Sequence, residues 1–205
     1  MARTGRPRGF DTAVAVDRAR GIFWASGYGG TSIQDLVDGL DVERGSLYAA
    51  FGDKRLLYLE AVKLYWAEYE RALETALASV PLLPALRELL VMPAQLGGAA
   101  DDPGAPHGCM MGNTAVELVP YDAEATAIVR RSFGRFVQHV SDALRAAQSR
   151  GEVTTASTPE AQAQLLLVLA EGTSLLARTG TDPALASAAI DAALSGLRGT
   201  SPDGP

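Results

Sequence analysis

Apolar residues recur along most of the chain with the period of a helix rather than that of a strand. Ile33, Leu36, Val37 and Leu40 stand at i, i+3, i+4 and i+7, so they fall on one face of a helix. The segment at 122–149 repeats this spacing. A sustained alternation of apolar and polar residues, which marks a half-buried strand, does not occur. The pattern therefore predicts an all-α protein.

Capping and turn residues divide this pattern into separate helices. Asp11 is expected to cap the first helix, and the glycines of "GYGG" at 27–30 are expected to end it. Thr31 and Gln34 have the spacing of a capping box, and Asp53 can cap the fourth helix. The predicted helices lie near residues 12–26, 31–38, 44–51, 54–79, 84–97, 109–119, 122–149, 160–178 and 183–198.

Three segments fall outside the helical pattern. Residues 1–10, "MARTGRPRGF", are expected to form a flexible basic arm. The glycine- and proline-rich stretch "GGAADDPGAPHG" at 97–108 predicts a loop. The tail "GTSPDGP" at 199–205 predicts disorder.

The second and third predicted helices have the form of a helix-turn-helix. Two short helices are joined by a tight turn at residues 39–42, and a longer helix precedes them. In "ERGSLYAAFGDK", residues 43–54, only Leu47 and Phe51 form an apolar pair, and small residues fill half of the other positions. A helix that buries one edge and keeps the other slim can approach DNA closely in a groove.

Charge is distributed unevenly along the chain. The net charge is −6, but residues 1–55 hold eight Lys or Arg against seven Asp or Glu, a balance of +1. The remainder carries a balance of −7. Arg3, Arg6 and Arg8 have no acidic neighbour among the first ten residues. An acidic protein with a basic arm is compatible with DNA binding, since only the contacting face needs positive charge.

Other classes of protein are disfavoured by what the sequence contains. One cysteine, Cys109, excludes an intrachain disulfide, and no apolar segment is long enough for a signal peptide or a membrane span, so we expect a cytoplasmic protein without membrane contact. No nucleophile elbow or paired-carboxylate motif points to an enzyme. His107, Cys109 and His139 lack metal-ligand spacing, so neither a metal nor a cofactor is expected.

The residues from "FWASGYGGTS" through "IQDLVDGLDVERGSLYAAFGDK", behind a basic arm, resemble the TetR family of bacterial transcriptional repressors. The resemblance covers about residues 10–60; beyond them, only length and helical pattern agree. It implies a DNA-binding domain at 1–55 and a ligand-binding and dimerisation domain at 56–205. It also implies a homodimer on near-palindromic double-stranded operator DNA, which a small-molecule effector releases.

The resemblance also implies which residues contact DNA. Thr31 and Ser32 match positions that hold a phosphate at the start of the second helix. Tyr48 and Lys54 match backbone-contacting positions. The recognition helix and the basic arm supply the remaining candidates, which are Arg44, Gly45, Ser46 and Ala49 in the helix and Arg6 and Arg8 in the arm.

Three departures from the family pattern affect this region. Asp41 stands in the turn where the family commonly has glycine, although aspartate tolerates a left-handed backbone less well. Glu43 replaces the common Ser or Thr cap, and Ala49 and Ala50 replace bulkier residues. The alanines remove side chains that could contact bases.

Effector binding is expected to involve Cys109, Met110, Asn113, Phe133 and Phe136. Cys109 has two interpretations. A thiol at a helix N-terminus can have a lowered pKa and react with electrophiles or oxidants, and Gly108-Cys109 resembles the Gly-Cys pair of electrophile-sensing members of the family. Alternatively, it is a small residue that packs the start of the helix. For the whole protein, a ligand-independent architectural DNA-binding protein is the alternative to an effector-released repressor.

Overall fold

The computed structural model describes residues 11–96 and 108–199, except for the side chains of residues 93–96. Helices fill this part of the chain, and its only β contact is an isolated bridge between Val153 and Arg198. The predicted all-α class is confirmed. The arm, most of the 97–108 loop and the end of the tail lie outside the described residues. The helices are α1 (Thr12–Gly30), α2 (Ile33–Leu40), α3 (Arg44–Phe51), α4 (Lys54–Leu77), α5 (Leu82–Leu96), α6 (Met110–Glu117), α7 (Ala123–Ser149), α8 (Pro159–Ala177) and α9 (Pro183–Gly196).

The helix ends follow the capping chemistry of the sequence. Asp11 accepts hydrogen bonds from the first turn of α1, and Asp53 accepts one from Leu56 N–H at the start of α4. The backbone leaves helical geometry at Gly27, where φ is 75°, so the glycines end the regular part of α1 as predicted. The cap of α2 differs from the prediction, because Ser32 rather than Thr31 is the N-cap residue, in a capping box with Asp35.

Helices α1 to α3 pack around a small apolar core with the first turns of α4. Leu36 and Leu40 of α2 and Leu47 of α3 are buried in it, as the apolar pattern indicates. On α1 the buried residues are Ala15, Ala19, Phe23 and Gly27, whereas Val14 is exposed. The buried stripe of α1 is therefore narrow and consists mainly of small residues.

Helix α4 connects two cores. Its first half, with Leu57, Tyr58 and Val62, belongs to the core of α1–α3 and also contacts α6. Leu73 in its second half belongs to a larger core formed with α5, α7, α8 and α9. The predicted division at residues 55/56 falls at the start of this continuous helix, and it stays a prediction.

Ion pairs hold α4 against α7 near both ends of their contact. Arg55 forms a bidentate pair with Asp122, the residue that caps α7, and the guanidinium lowers the pKa of that carboxyl to about 2. Further along, Glu70 forms an ion pair with Arg135 and lies 3.3 Å from the Nε2 atom of His139. Motion of α4 against α7 would have to break these contacts.

The turn between α2 and α3 places Asp41 in a left-handed conformation, with φ 54° and ψ 52°. Alanine pays about 1–2 kcal/mol for this conformation, whereas glycine adopts it freely. We expect Asp41→Gly to exceed Asp41→Ala in free energy of unfolding by about 1 kcal/mol, as measured by urea denaturation.

The matched control is Asp38, which lies inside α2 with right-handed geometry. There we expect the opposite order, with Asp38→Ala about 1 kcal/mol more stable than Asp38→Gly. The same order at both positions would contradict the assignment of strain to Asp41.

Candidate nucleic-acid interface and ligand cavity

Helix α3 buries one narrow edge and exposes the rest. Leu47 is buried and Phe51 is half-buried, and together they hold the helix against α2 and α4. Tyr48 is 43% exposed, an unusual fraction for an aromatic side chain. The exposed face thus combines one cation, two hydroxyls and two small residues, which are Arg44, Ser46, Tyr48, Gly45 and Ala49.

Two further features concern the accessibility of α3. A Cβ atom added to Gly45 would meet nothing within 4 Å, so no packing inside the protein requires glycine there. Glu43, the N-cap residue, makes no side-chain hydrogen bond to the first turn. The N-terminal N–H groups of α3 therefore have no side-chain cap, and such groups suit a phosphate oxygen.

Of the two predicted phosphate contacts at the start of α2, the structure leaves one available. Ser32 is exposed, and its Oγ atom accepts from the N–H of Asp35 at 3.1 Å. Thr31 is only 1% exposed, and its hydroxyl donates to the carbonyl of Gly27 at 2.7 Å. The prediction that the Thr31 side chain contacts DNA is corrected, because its hydroxyl is buried and already bonded within the protein.

Lys54 has a structural role that the sequence did not reveal. Its ammonium donates to the carbonyls of Tyr28 at 2.9 Å and Thr31 at 2.8 Å, and it lies 4.3 Å from the centre of the Tyr28 ring. One N–H remains for another acceptor. Lys54 therefore fixes residues 27–31, here called the α1–α2 turn. Arg6 and Arg8 lie outside the described residues.

A cleft of about 560 Å³ opens between the end of α1 and helices α6, α7 and α8. Cys109, Asn113 and Phe133, three of the residues expected to bind an effector, line it. A smaller chamber of about 20 Å³ adjoins it and has Phe136 in its wall. Met110 lines neither space, because it is buried in the core beside α1; its neighbour Met111 lines the chamber instead.

Cys109 lies at the N-cap of α6, as its sequence position indicates. Burial and the neighbouring Glu171 carboxylate raise the pKa of its thiol to about 12, which outweighs the hydrogen bond from the Gly112 backbone. The hydroxyl of Tyr65 donates to Sγ at 3.6 Å. A thiol with a raised pKa is a poor nucleophile, so the structure favours packing over reactive sensing.

Helix α6 is bonded directly to the α1–α2 turn. The Glu117 carboxylate accepts from the N–H groups of Tyr28 at 3.3 Å and Gly29 at 2.7 Å. Nearby, the indole N–H of Trp24 donates to the carbonyl of Gly108 at 2.9 Å. Glu117 also lines the 560 Å³ cleft, together with Ser26 and Gly27. One wall of the cleft is therefore part of the helix-turn-helix unit.

Sequence reasoning missed several cleft residues. Glu117 and Arg178 are charged residues, and a charged side chain is usually expected to lie in solvent. Glu171 gave a weak signal, because it is an acidic residue that directly follows the apolar run at 165–170. Over the part of the chain that the structure describes, no helix has the length and apolar character needed to cross a bilayer.

Two family models match the chain. Residues 15–61 match "Bacterial regulatory proteins, tetR family", and residues 85–193 match "Tetracyclin repressor-like, C-terminal domain". The HTH-type transcriptional regulator YezE of Bacillus subtilis is 35% identical over 156 residues, which are 75% of this chain and 78% of that protein. The HTH-type transcriptional repressor ComR of Escherichia coli is 29% identical over 187 residues, 86% of this chain and 83% of that one.

A solved structure agrees over nearly the whole chain. A cysteine mutant of the TetR family transcriptional regulator CifR, complexed with 26 bp double-strand operator DNA, superimposes with a TM-score of 0.78 at 26% identity. The match covers 93% of this chain and 98% of that one.

The contacts of Lys54 predict a loss of stability on substitution. Lys54→Met removes two charge-assisted hydrogen bonds to carbonyl groups, so we expect the free energy of unfolding to fall by about 1–2 kcal/mol in urea denaturation. Lys63→Met is the control, because Lys63 is exposed and pairs only with Glu60 and Glu124, which predicts a change below about 1 kcal/mol. Equal changes in both variants would contradict the structural role of Lys54.

Proposed function

The chain belongs to the TetR family of bacterial regulatory proteins, and we propose that it is a dimeric repressor that a small-molecule effector releases from its operator. The observation that carries the proposal is the slim exposed face of α3, with Arg44, Ser46 and Tyr48 directed away from the core. The cleft beside α1 and an exposed apolar surface on α8 and α9 add separate support.

Helix α3 is suited to the major groove. Gly45 and Ala49 add almost no bulk, so the helix axis can lie close to the bases. Ser32 and Tyr48 supply hydroxyls and Arg44 supplies charge for the phosphates on either side. With few long side chains on this face, much of the sequence preference would come from the close fit and from DNA shape.

The cleft supports binding of a small molecule. Its volume of about 560 Å³ falls within the range of ligand pockets, and its walls are mainly apolar with a few polar groups. Three residues of its wall, Ser26, Gly27 and Glu117, lie at the α1–α2 turn or bond to it. An occupant would therefore contact the part of the protein that positions α2 and α3.

The last two helices support dimerisation. Helix α8 exposes leucine and valine side chains along one face, and α9 exposes Leu185. Exposed apolar surface of this extent is characteristic of an interface between subunits. A twofold dimer would place two copies of α3 on successive major grooves, which requires a near-palindromic operator. The large exposed residues of the surface are Leu165, Val168, Leu175, Leu176 and Leu185.

Selection of bound sequences from random duplex DNA tests the operator proposal. We expect a near-palindrome, and Arg44→Ala should reduce the slope of log K against log salt by about one unit for each protomer bound. Tyr48→Phe should weaken binding and leave the slope unchanged, because it removes an uncharged donor. Arg71→Ala is the matched control. It also removes one positive charge, but from a position about 26 Å along α4 from Lys54. An unaltered slope in Arg44→Ala would refute its phosphate contact.

Light scattering tests the dimer. Wild type should have twice the chain mass, and Val168→Arg should be monomeric at micromolar concentration, because it places a charge at the centre of the apolar surface. Ala146→Arg, an equal substitution at an exposed position of α7, should remain dimeric. A Val168→Arg dimer would place the interface elsewhere.

A further inference from the structure

Glu171 of α8 lies where the 560 Å³ cleft meets the inner chamber, and it lines both spaces. It is half-buried, and no Lys, Arg or His side chain of the described residues forms an ion pair with it. Burial raises the pKa of its carboxyl above the usual value, and a hydrogen bond from the Cys109 thiol opposes this only in part. The carboxylate is therefore a partly desolvated anion that has no cation partner within residues 11–92 and 108–199.

The inner chamber beside Glu171 is walled by aromatic rings. Tyr65 and Tyr69 stack with centroids 6.4 Å apart, Trp66 lies 5.7 Å from Tyr69, and Phe136 lies 6.5 Å from it. Burial raises the pKa of both tyrosine hydroxyls, so these rings carry no charge. Aromatic faces attract a cation through the negative charge density of the ring, most strongly where water is excluded.

The protein makes room for this carboxylate. A Cβ atom on Gly112 of α6 would lie 2.3 Å from the Oε2 atom of Glu171, so any larger residue at position 112 would displace the side chain. The chamber, at about 20 Å³, holds a group the size of one water molecule, which is also the size of an ammonium group. An ammonium head thus fits the space, with the rest of the ligand in the larger cleft.

We propose that the effector is a small organic amine whose ammonium group pairs with Glu171 beside the aromatic chamber and whose apolar body lies in the cleft along Val116, Phe133 and Leu175. This inference rests on the proposed effector-released repressor and specifies the class of its ligand. A partly buried carboxylate without a cation partner is costly, and a bound cation supplies the missing charge.

The other charged groups of the cleft are consistent with a cation. Among the lining residues that the structure describes, Arg178 is the one cation, and it lies two turns along α8 from Glu171, or about 10 Å. It is exposed and donates to the Oδ1 atom of Asn113 at 2.6 Å. Glu117 adds a second carboxylate, bonded to the α1–α2 turn. An anionic ligand would meet two carboxylates for one solvent-exposed guanidinium.

Calorimetry with three matched probes tests the inference: 2-phenylethylammonium, the neutral 2-phenylethanol and the anionic 3-phenylpropanoate. We expect the ammonium probe to bind wild type at least tenfold more tightly than either of the others. Glu171→Gln should remove this preference and leave the affinity for 2-phenylethanol unchanged. It should also fold with an undiminished thermal midpoint, because the amide replaces an unpaired charge of similar size.

Glu160→Gln is the control, since it makes the same charge change at an exposed position of α8. It should keep the preference for the ammonium probe. Equal or tighter binding of the neutral or anionic probe overturns the inference, as does an unchanged preference in Glu171→Gln or no binding of the ammonium probe at millimolar concentration.

Gel shifts with the selected operator separate this inference from the proposed function. Release of the operator by 3-phenylpropanoate or 2-phenylethanol would overturn the amine class and leave the effector-released repressor standing. Failure of the protein to bind any selected DNA would overturn the repressor, even if calorimetry showed selective amine binding that depends on Glu171.

Discussion

The α1–α2 turn is the constraint on which the rest of the arrangement depends. Gly27 permits the turn through its positive φ, and the chain is then held from two sides. Lys54 of α4 binds two of its carbonyl groups, and Glu117 of α6 binds two of its N–H groups. Each unpaired backbone group would cost about 1–3 kcal/mol if buried, so these two side chains define one position for α2 relative to α4 and α6.

The orientation of helix α3 depends on the α1–α2 turn. Helix α3 is only eight residues long, and Leu47 is its single fully buried side chain. A helix of this length is not stable alone in water, so its orientation is set by α2 and α4 rather than by its own propensity. Because so few of its side chains are buried, α3 can carry small residues elsewhere and stay narrow. A helix that binds in a groove needs this narrow shape. Stability and function therefore make opposite demands on α3, and the firmly held α1–α2 turn reconciles them.

Capping residues and apolar spacing predicted where the helices lie. They did not predict which side chains of different helices face one another. The sequence predicts Thr31 as the N-cap of α2, one residue before the observed N-cap, Ser32. Both residue types are good caps, and only the burial of Thr31 distinguishes them. Met110 and Met111 are adjacent and point about 100° apart on α6, so the orientation of α6 in the bundle decides which of them lines the chamber. Glu171 showed as an acid directly after an apolar run, but whether a cation of the described residues reaches it depends on how α8 packs against its neighbouring helices.

The position of the cleft gives a thermodynamic reason for coupling. Ser26, Gly27 and Glu117 belong both to the cleft wall and to the structure that orients α2, so a ligand and an operator act on the same few bonds. If the two partners favour different positions of the α1–α2 turn, each must weaken the other by the same factor, because binding free energies are reciprocal. No long pathway is needed for this. In the proposed repressor, one carboxylate and the turn that it holds would connect the effector site to the DNA-binding helices.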